Sequence, residues 1–363
     1  MVDPQEQVTV STSAQGNSAS GAVENGSISV QSEQDMRGDS VATTDMTLGG
    51  DAWGVVNATT QAQGNYLAVS AYDAELTVEA TQSNTGGLVS ATSQLGEDDA
   101  RLLGGAYINA SAISNTTALY GEGSFVAGSI DQSSSATVRA YNRIETQYIP
   151  AEAVVDAQAI VNAVQATSGQ TSGQDLAIVQ TSTGDFVEAE SSANSGNAWD
   201  LAGRARASAN QAVIYNEGGS VMTSARQDNT AFVRAAATTT AYDYGRAEAH
   251  ARGAANELSV GNNDIYVEID NSQFNTGGVD VTATFSGTNG YDVYVGADAV
   301  GNRVTGYSCS DCGGYLEARN TQSNGGDVSA AANTTVAGST RSVITGANAV
   351  GNSASFYVSR PSH

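Results

Sequence analysis

The chain has no lysine. All 14 of its basic residues are arginine, set against 38 acidic residues for a formal charge of −24. A field of that sign repels phosphates, which argues against nucleic acid as a partner. It favours divalent cations or basic partners and keeps copies of the chain apart. Charge of either sign is scarce, at 14% of residues, and aromatics are only 6%. A chain so poor in large apolar residues cannot build a thick core of Leu and Phe, but it can fill a thin one between two close β-layers. No apolar run reaches about 18 residues, so no membrane-spanning helix is expected. Met1-Val2-Asp3-Pro4 shows no leader pattern and reads as the start of a mature sequence. Only two histidines and two cysteines are present.

What fills the chain is Ser, Thr, Asn, Gln, Ala, Val and Gly, a composition that suits the cell exterior. It would equally suit a disordered chain, were it not for the spacing. Two landmarks recur. The first is a small-residue segment ending in Asn, at Asn17, Asn65, Asn210, Asn256, Asn302 and Asn352, with Asn115 and Asn162 filling the gaps in a weaker context. Successive intervals are 48, 50, 47, 48, 46, 46 and 50 residues. The second is a Gln followed shortly by Val-x-small, at Gln34, Gln82, Gln132, Gln180, Gln227, Gln273 and Gln322. The distance from each Asn to its Gln is 17 residues in five units, 18 in the fourth and 20 in the seventh. Two landmarks that hold phase this far define a repeat protein.

Within a unit the apolar residues alternate. Leu76-Thr77-Val78-Glu79-Ala80-Thr81-Gln82 and Ile265-Tyr266-Val267-Glu268-Ile269 have the period of a half-buried strand. The breaks are rich in Asn, Gly, Ser and Asp, which accept turn dihedrals. The expected fold is an all-β solenoid of about eight ~48-residue repeats, each made of two strand–turn–strand halves, because a single unit cannot bury its apolar face alone. It is expected to be one domain over 1–363, with units near 7–52, 53–100, 101–147, 148–198, 199–245, 246–292, 293–340 and 341–363. If each half is a coil the rod is ~70 Å long; if a whole unit is a coil it is half that length and twice as wide. One passage, Pro150 to Val164, has the Pro and Ala content of a short helix, although Asn162 on the repeat phase favours strand. Stacking would turn each landmark into a ladder of side-chain amides bonded to the copies above and below.

The sites open to chemistry are few. Cys309 and Cys312 fall in the one markedly stretched Asn-to-Gln interval, which points to a turn insertion closed by a disulfide, with unpaired thiols or an intermolecular link as the rival; a metal or redox site lacks partners and a helix. His250 shares an outward face with Arg246, Glu248 and Arg252, since Ala fills the alternate positions, and the other histidine is the terminal His363. A hydrolytic triad therefore has one candidate base and little else. Glu97-Asp98-Asp99 reads as a solvated turn with a calcium contact as its rival, and the glycine–aspartate nonapeptides of calcium-binding solenoids are absent. Arg37-Gly38-Asp39 is a chance tripeptide in a Gly- and Asp-rich chain. Nucleotide-binding patterns are missing. No catalytic residue, cofactor or metal ligand is assigned, calcium being the one ion left open.

The units resemble curlin repeats through Gln63-Gly64-Asn65 and Gln82-Ser83-Asn84-Thr85-Gly86-Gly87, although curlin units have about half this period, so amyloid-type polymerisation is not carried over. More specifically the chain resembles the D component of the holdfast anchoring proteins of stalked bacteria, through its acidic, lysine-free composition and its Gln-Ser-Asn-(Thr)-Gly-Gly turns at 82–87 and 322–326. That resemblance implies a secreted, cell-surface, outer-membrane-associated protein. Such a protein fastens an adhesive polysaccharide to the cell beside sister anchor proteins. The sequence reading is thus a non-catalytic rod, with self-association through its ends as a further contact. Its rivals are a calcium-binding adhesin or surface-layer module and a carbohydrate-active β-helix enzyme. The enzyme would need carboxylates of neighbouring units side by side, whereas the acidic residues are read as falling at different phases in different units.

Overall fold

The structure is a computed structural model and describes residues 7–96, 100–309 and 313–359. Those residues are built almost wholly of strands, with no helix among them. The second coil shows the pattern. Val55–Tyr72 is one long strand, Glu75–Asn84 a second and Leu88–Gly96 a third. Along the long strand Val56, Ala58, Thr60 and Ala62 point inward, with their neighbours less buried. At Gly64-Asn65 two consecutive residues are buried and the phase flips, after which Leu67, Val69 and Ala71 point inward.

That flip divides each coil into two lobes. The first half of the long strand and the Leu88–Gly96 strand share one core, with Val56, Ala58, Ala62, Val89, Ala91 and Leu95 buried together. The second half and the Glu75–Asn84 strand share another, with Leu67, Val69, Leu76 and Val78 buried together. Each lobe is thin because Ala and Val dominate it. The turn joining the two strands of the second lobe goes left-handed at Asn25 (φ 52°), Asp73 (φ 46°) and Gly123 (φ 58°) in successive coils. Asn, Asp and Gly are the residues that enter this region at least cost.

Every pairing is parallel and joins a residue to its counterpart one whole unit later: Gln7↔Val55, Val56↔Ala106, Ala106↔Ala153. One unit is therefore one coil, containing both strand–turn–strand halves, and the shorter, wider of the two expected rods is the one adopted. The seven steps from Asn17 to Asn352 span ~34 Å at the usual strand spacing. From the third coil to the sixth, the third strand of a coil runs straight into the long strand of the next, in Thr137–Gly169, Phe186–Asn216, Phe232–Asn262 and Val279–Cys309. Pro150 to Val164 lies inside the first of these and is strand. Pro150 sits where the register shifts opposite Ala198 and Asp200, a bulge where a missing N–H breaks no ladder bond.

The residue before the landmark Asn is small in most coils because the chain corners there against the next coil. A Cβ on Gly64 would lie 2.4 Å from the Ser114 carbonyl oxygen, and a backbone atom cannot swing aside. Gly64→Val is expected to cost about 2 kcal/mol or more in chemical denaturation, whereas Gly346→Ala, with nothing within 4 Å, should be nearly neutral. Equal costs would contradict the close approach.

Candidate functional site

The waist between the two lobes holds the landmark residues. Asn17 Nδ2 donates to Asn65 Oδ1 at 2.8 Å, and the bond repeats through Asn115, Asn162, Asn210, Asn256 and Asn302 to Asn352 at 2.7–2.8 Å. Gln82 Nε2 donates to Gln34 Oε1 at 2.7 Å, and the same bond links Gln132, Gln180, Gln227, Gln273 and Gln322, each to the Gln before it, at 2.7–2.9 Å. The Asn column donates toward later coils and the Gln column toward earlier ones, so the side-by-side dipoles oppose and attract.

The second hydrogen of each amide ties the columns together. Asn65 donates it to the Ser83 carbonyl, next to Gln82, at 2.8 Å. Gln82 donates its own to the Thr116 carbonyl, next to Asn115 of the following coil, at 2.9 Å. The same cross-ties recur from Asn17 to Asp35 and from Gln322 to Ser353. Interior members such as Asn162 and Gln180 are fully buried, where an unmet amide would be costly. A shorter column, Asn229–Asn275–Asn324, runs beside them. It belongs to the Gln-x-Asn turns, where Asn84 Oδ1 accepts the Gly86 N–H at 3.0 Å.

Outside the first lobe lies a charged face. Glu152, Asp200, Arg246 and Asp292 stand in one register row, which corrects the expectation that acidic residues never align from unit to unit. Each of the four lies ten residues before its landmark Asn (Asn162, Asn210, Asn256 and Asn302), so the alignment stands in the sequence itself, masked only by the arginine among its members. Tyr107 Oη donates to Glu152 Oε2 at 2.7 Å, and Asp292 is ion-paired with Arg341. Burial pushes the Asp200 carboxyl above the usual range, against the pull of Arg246, with the Glu152 charge adding to the rise. His250 lies half-buried on this face beside Arg246, Glu248 and Arg252 and meets Asp298 at 3.6 Å. Glu248 accepts from Arg204 at 2.8 Å; burial alone would raise its pKa, but the bond and the charges of Arg204, Arg246 and His250 outweigh it. Among the described residues no three His, Cys, Asp or Glu side chains cluster as metal ligands would.

A third feature lies at the corner where one coil passes into the next. Tyr148, Asn197, Asp243 and Asn289 form a register row. Asn197 Oδ1 accepts the Asp243 N–H at 3.2 Å, and Asn289 Nδ2 donates to Asp243 Oδ1 at 3.3 Å. Beside it, Trp199 lies over Gly245, whose added Cβ would sit 3.0 Å from the indole. Its ring meets Tyr291 edge-on at 6.0 Å, and the Arg341 guanidinium lies 5.6 Å from the Tyr291 ring centre. Trp199 and Tyr242 remain 61% exposed and Tyr291 52%. Tyr148, Pro150, Asn197, Trp199, Asp243 and Tyr291 line an open groove of about 520 Å³. Sequence reasoning missed this corner, although Trp53, Tyr148 and Trp199 each open a unit; the second landmark drew attention to amides instead.

Cys309 ends its strand half-buried, and no disulfide occurs among the described residues. Cys312 lies outside them, so the expected pairing does too, as do Glu97-Asp98-Asp99 and His363.

Fold and surfaces together define a repetitive parallel β-solenoid scaffold whose interior is ordered by side-chain amides. The chain belongs to the holdfast attachment protein D family, whose model matches residues 2–278. That membership gives it a part in holdfast attachment. No curated protein and no solved structure matches the chain.

Two outcomes are expected. Asn162→Ala leaves its ladder neighbours and the Thr181 carbonyl unmet, so denaturant titration should show a loss of about 3 kcal/mol or more, against under about 0.5 kcal/mol for exposed Asn109→Ala. Burial also pushes the Asp156 carboxyl above the usual range, with Arg206 and Arg204 pulling it down, and its Oδ1 has no hydrogen-bond partner among the described residues. The native chain then binds this proton to a higher pH than the unfolded chain, so stability falls as pH rises through that interval. Asp156→Asn should flatten that fall and hold or raise stability at neutral pH; a steeper fall would contradict the burial effect.

Proposed function

We propose that the chain is a non-catalytic anchor on the outside of the cell, associated with the outer membrane, that fastens the adhesive polysaccharide of the holdfast alongside sister anchor proteins. The observation that carries this reading is the pair of amide ladders running unbroken from Asn17 to Asn352 and from Gln34 to Gln322. They make the stacked coils a stiff rod. A rod repeats the same side chains at each coil, and many weak contacts held in register become firm attachment. An anchor under load needs that property, whereas an enzyme needs one site.

The rival, glycan cleavage, would run through a pair of adjacent carboxylates acting as acid and base, for which Glu152 and Asp200 of the charged row are the candidates. Two measurements separate the readings. Cells lacking the chain should still make holdfast polysaccharide but release it into the medium, and polysaccharide that stays on the cells would overturn the anchor. Purified protein should release no reducing ends from that polysaccharide; release that Asp200→Asn abolishes would establish the enzyme instead.

A further inference from the structure

We propose that the corner carrying Tyr148, Trp199, Tyr242 and Tyr291 is a binding platform for a linear, neutral polysaccharide laid along the rod. The proposal rests on the anchoring function above and assigns it a contact surface.

The other exposed rings are largely accounted for by coil stacking. Phe125 covers Gly173, Phe232 covers Gly278, and Tyr357 stacks at 5.6 Å on half-buried Tyr307, which itself covers Gly261. Trp199 covers Gly245 in the same way, yet more than half of it remains open, as does Tyr242, which covers no glycine. Trp53, 63% exposed, continues the corner toward the N-terminus, one residue past the bridge of Ala52 to Leu102. From Trp53 through Leu103 and Pro150 to Trp199 and Tyr291, an apolar row thus follows one edge of the solenoid.

The occupant follows from what lies beside the rings. A protein partner would want a continuous dry surface, burying on the order of 1,000 Å² in total. Here each ring has an amide or carboxylate of the Asn197–Asp243–Asn289 row next to it, already chained by hydrogen bonds. A pyranose is the complement of that arrangement, with a C–H face that lies on a ring and a belt of hydroxyls at its rim. Charge narrows the class further. At this corner Asp51 and Asp292 are ion-paired with Arg101 and Arg341, but Asp243 is exposed and the chain carries −24 overall. An acidic glycan would be repelled. Equivalent positions recur every ~4.8 Å along the edge, so one chain laid along it meets similar contacts coil after coil, each weak and together firm.

Affinity electrophoresis tests this in native gels containing hydroxyethylcellulose, galactomannan, glycol chitin or polygalacturonate. The intact protein should be retarded by at least one of the three neutral polymers and not by polygalacturonate. The Trp199→Ala/Tyr291→Ala variant should bind that polymer ~10-fold or more weakly, the loss of two stacking rings. Tyr242→Ser should weaken binding without changing the melting curve, and Tyr315→Ser on the second lobe should leave binding unchanged. Full retention by both corner variants would overturn the platform and leave the polysaccharide anchor standing. Retardation by polygalacturonate alone would overturn the neutral ligand. Retardation by none of the four would overturn the polysaccharide reading and the platform with it.

Discussion

A buried primary amide has two hydrogens and an acceptor oxygen to satisfy, and in a dry waist only fixed neighbours can do it. Here Asn bonds to Asn and Gln to Gln in the adjoining coils, while the spare hydrogens go to main-chain carbonyls beside the opposite column. A slip of two residues between coils would break every one of these bonds at once. The apolar lobes alone would resist that slip weakly, because it keeps each side chain on its own face and Ala and Val present nearly the same face at every second position. The ladders therefore supply register, and the lobes supply burial.

Much of the composition follows from that division. Thin lobes need no Phe or Leu in quantity, and most of the large rings go to the surface, where several cover glycines of neighbouring coils. Some carboxylates on the outer face are held by arginine, as at Glu248 with Arg204 and at Asp292 with Arg341, but 14 arginines leave most of the 38 acidic residues unpaired. Such exposed pairs add little stability, so the excess negative charge serves the surface more than the fold. The interior is uniform along the rod, and variety is confined to the corners and the outward positions of the strands.

The period, the strand character and the ladder positions were legible because stacking imposes identity at buried polar sites, and identity is what spacing detects. That Pro150–Val164 is strand could be read from Asn162 alone, against local helix propensity, because tertiary pairing overrides propensity where the ladder requires it. Whether one unit makes one coil or two was not legible: both halves alternate alike, and only the pairing of Gln7 with Val55 decides it. The row of Glu152, Asp200, Arg246 and Asp292 was legible, each member ten residues before its landmark Asn, but the arginine at its third place masks it as a column of carboxylates. The aromatic corner was hidden for a different reason. Surface rings are free to vary between Trp, Tyr and Pro from coil to coil, so they leave no repeated letter, only a repeated place.

Side-chain amide exchange tests most directly whether the two columns hold the coils in register. In the folded protein the Nδ2 and Nε2 protons of interior members such as Asn115, Asn162, Gln132 and Gln180 should exchange only as the rod opens, on the timescale of its slowest backbone amides. Those of exposed Asn109 should exchange at once. Ladder protons that exchange as fast as those of Asn109 would mean that the waist is wet and that register is set elsewhere.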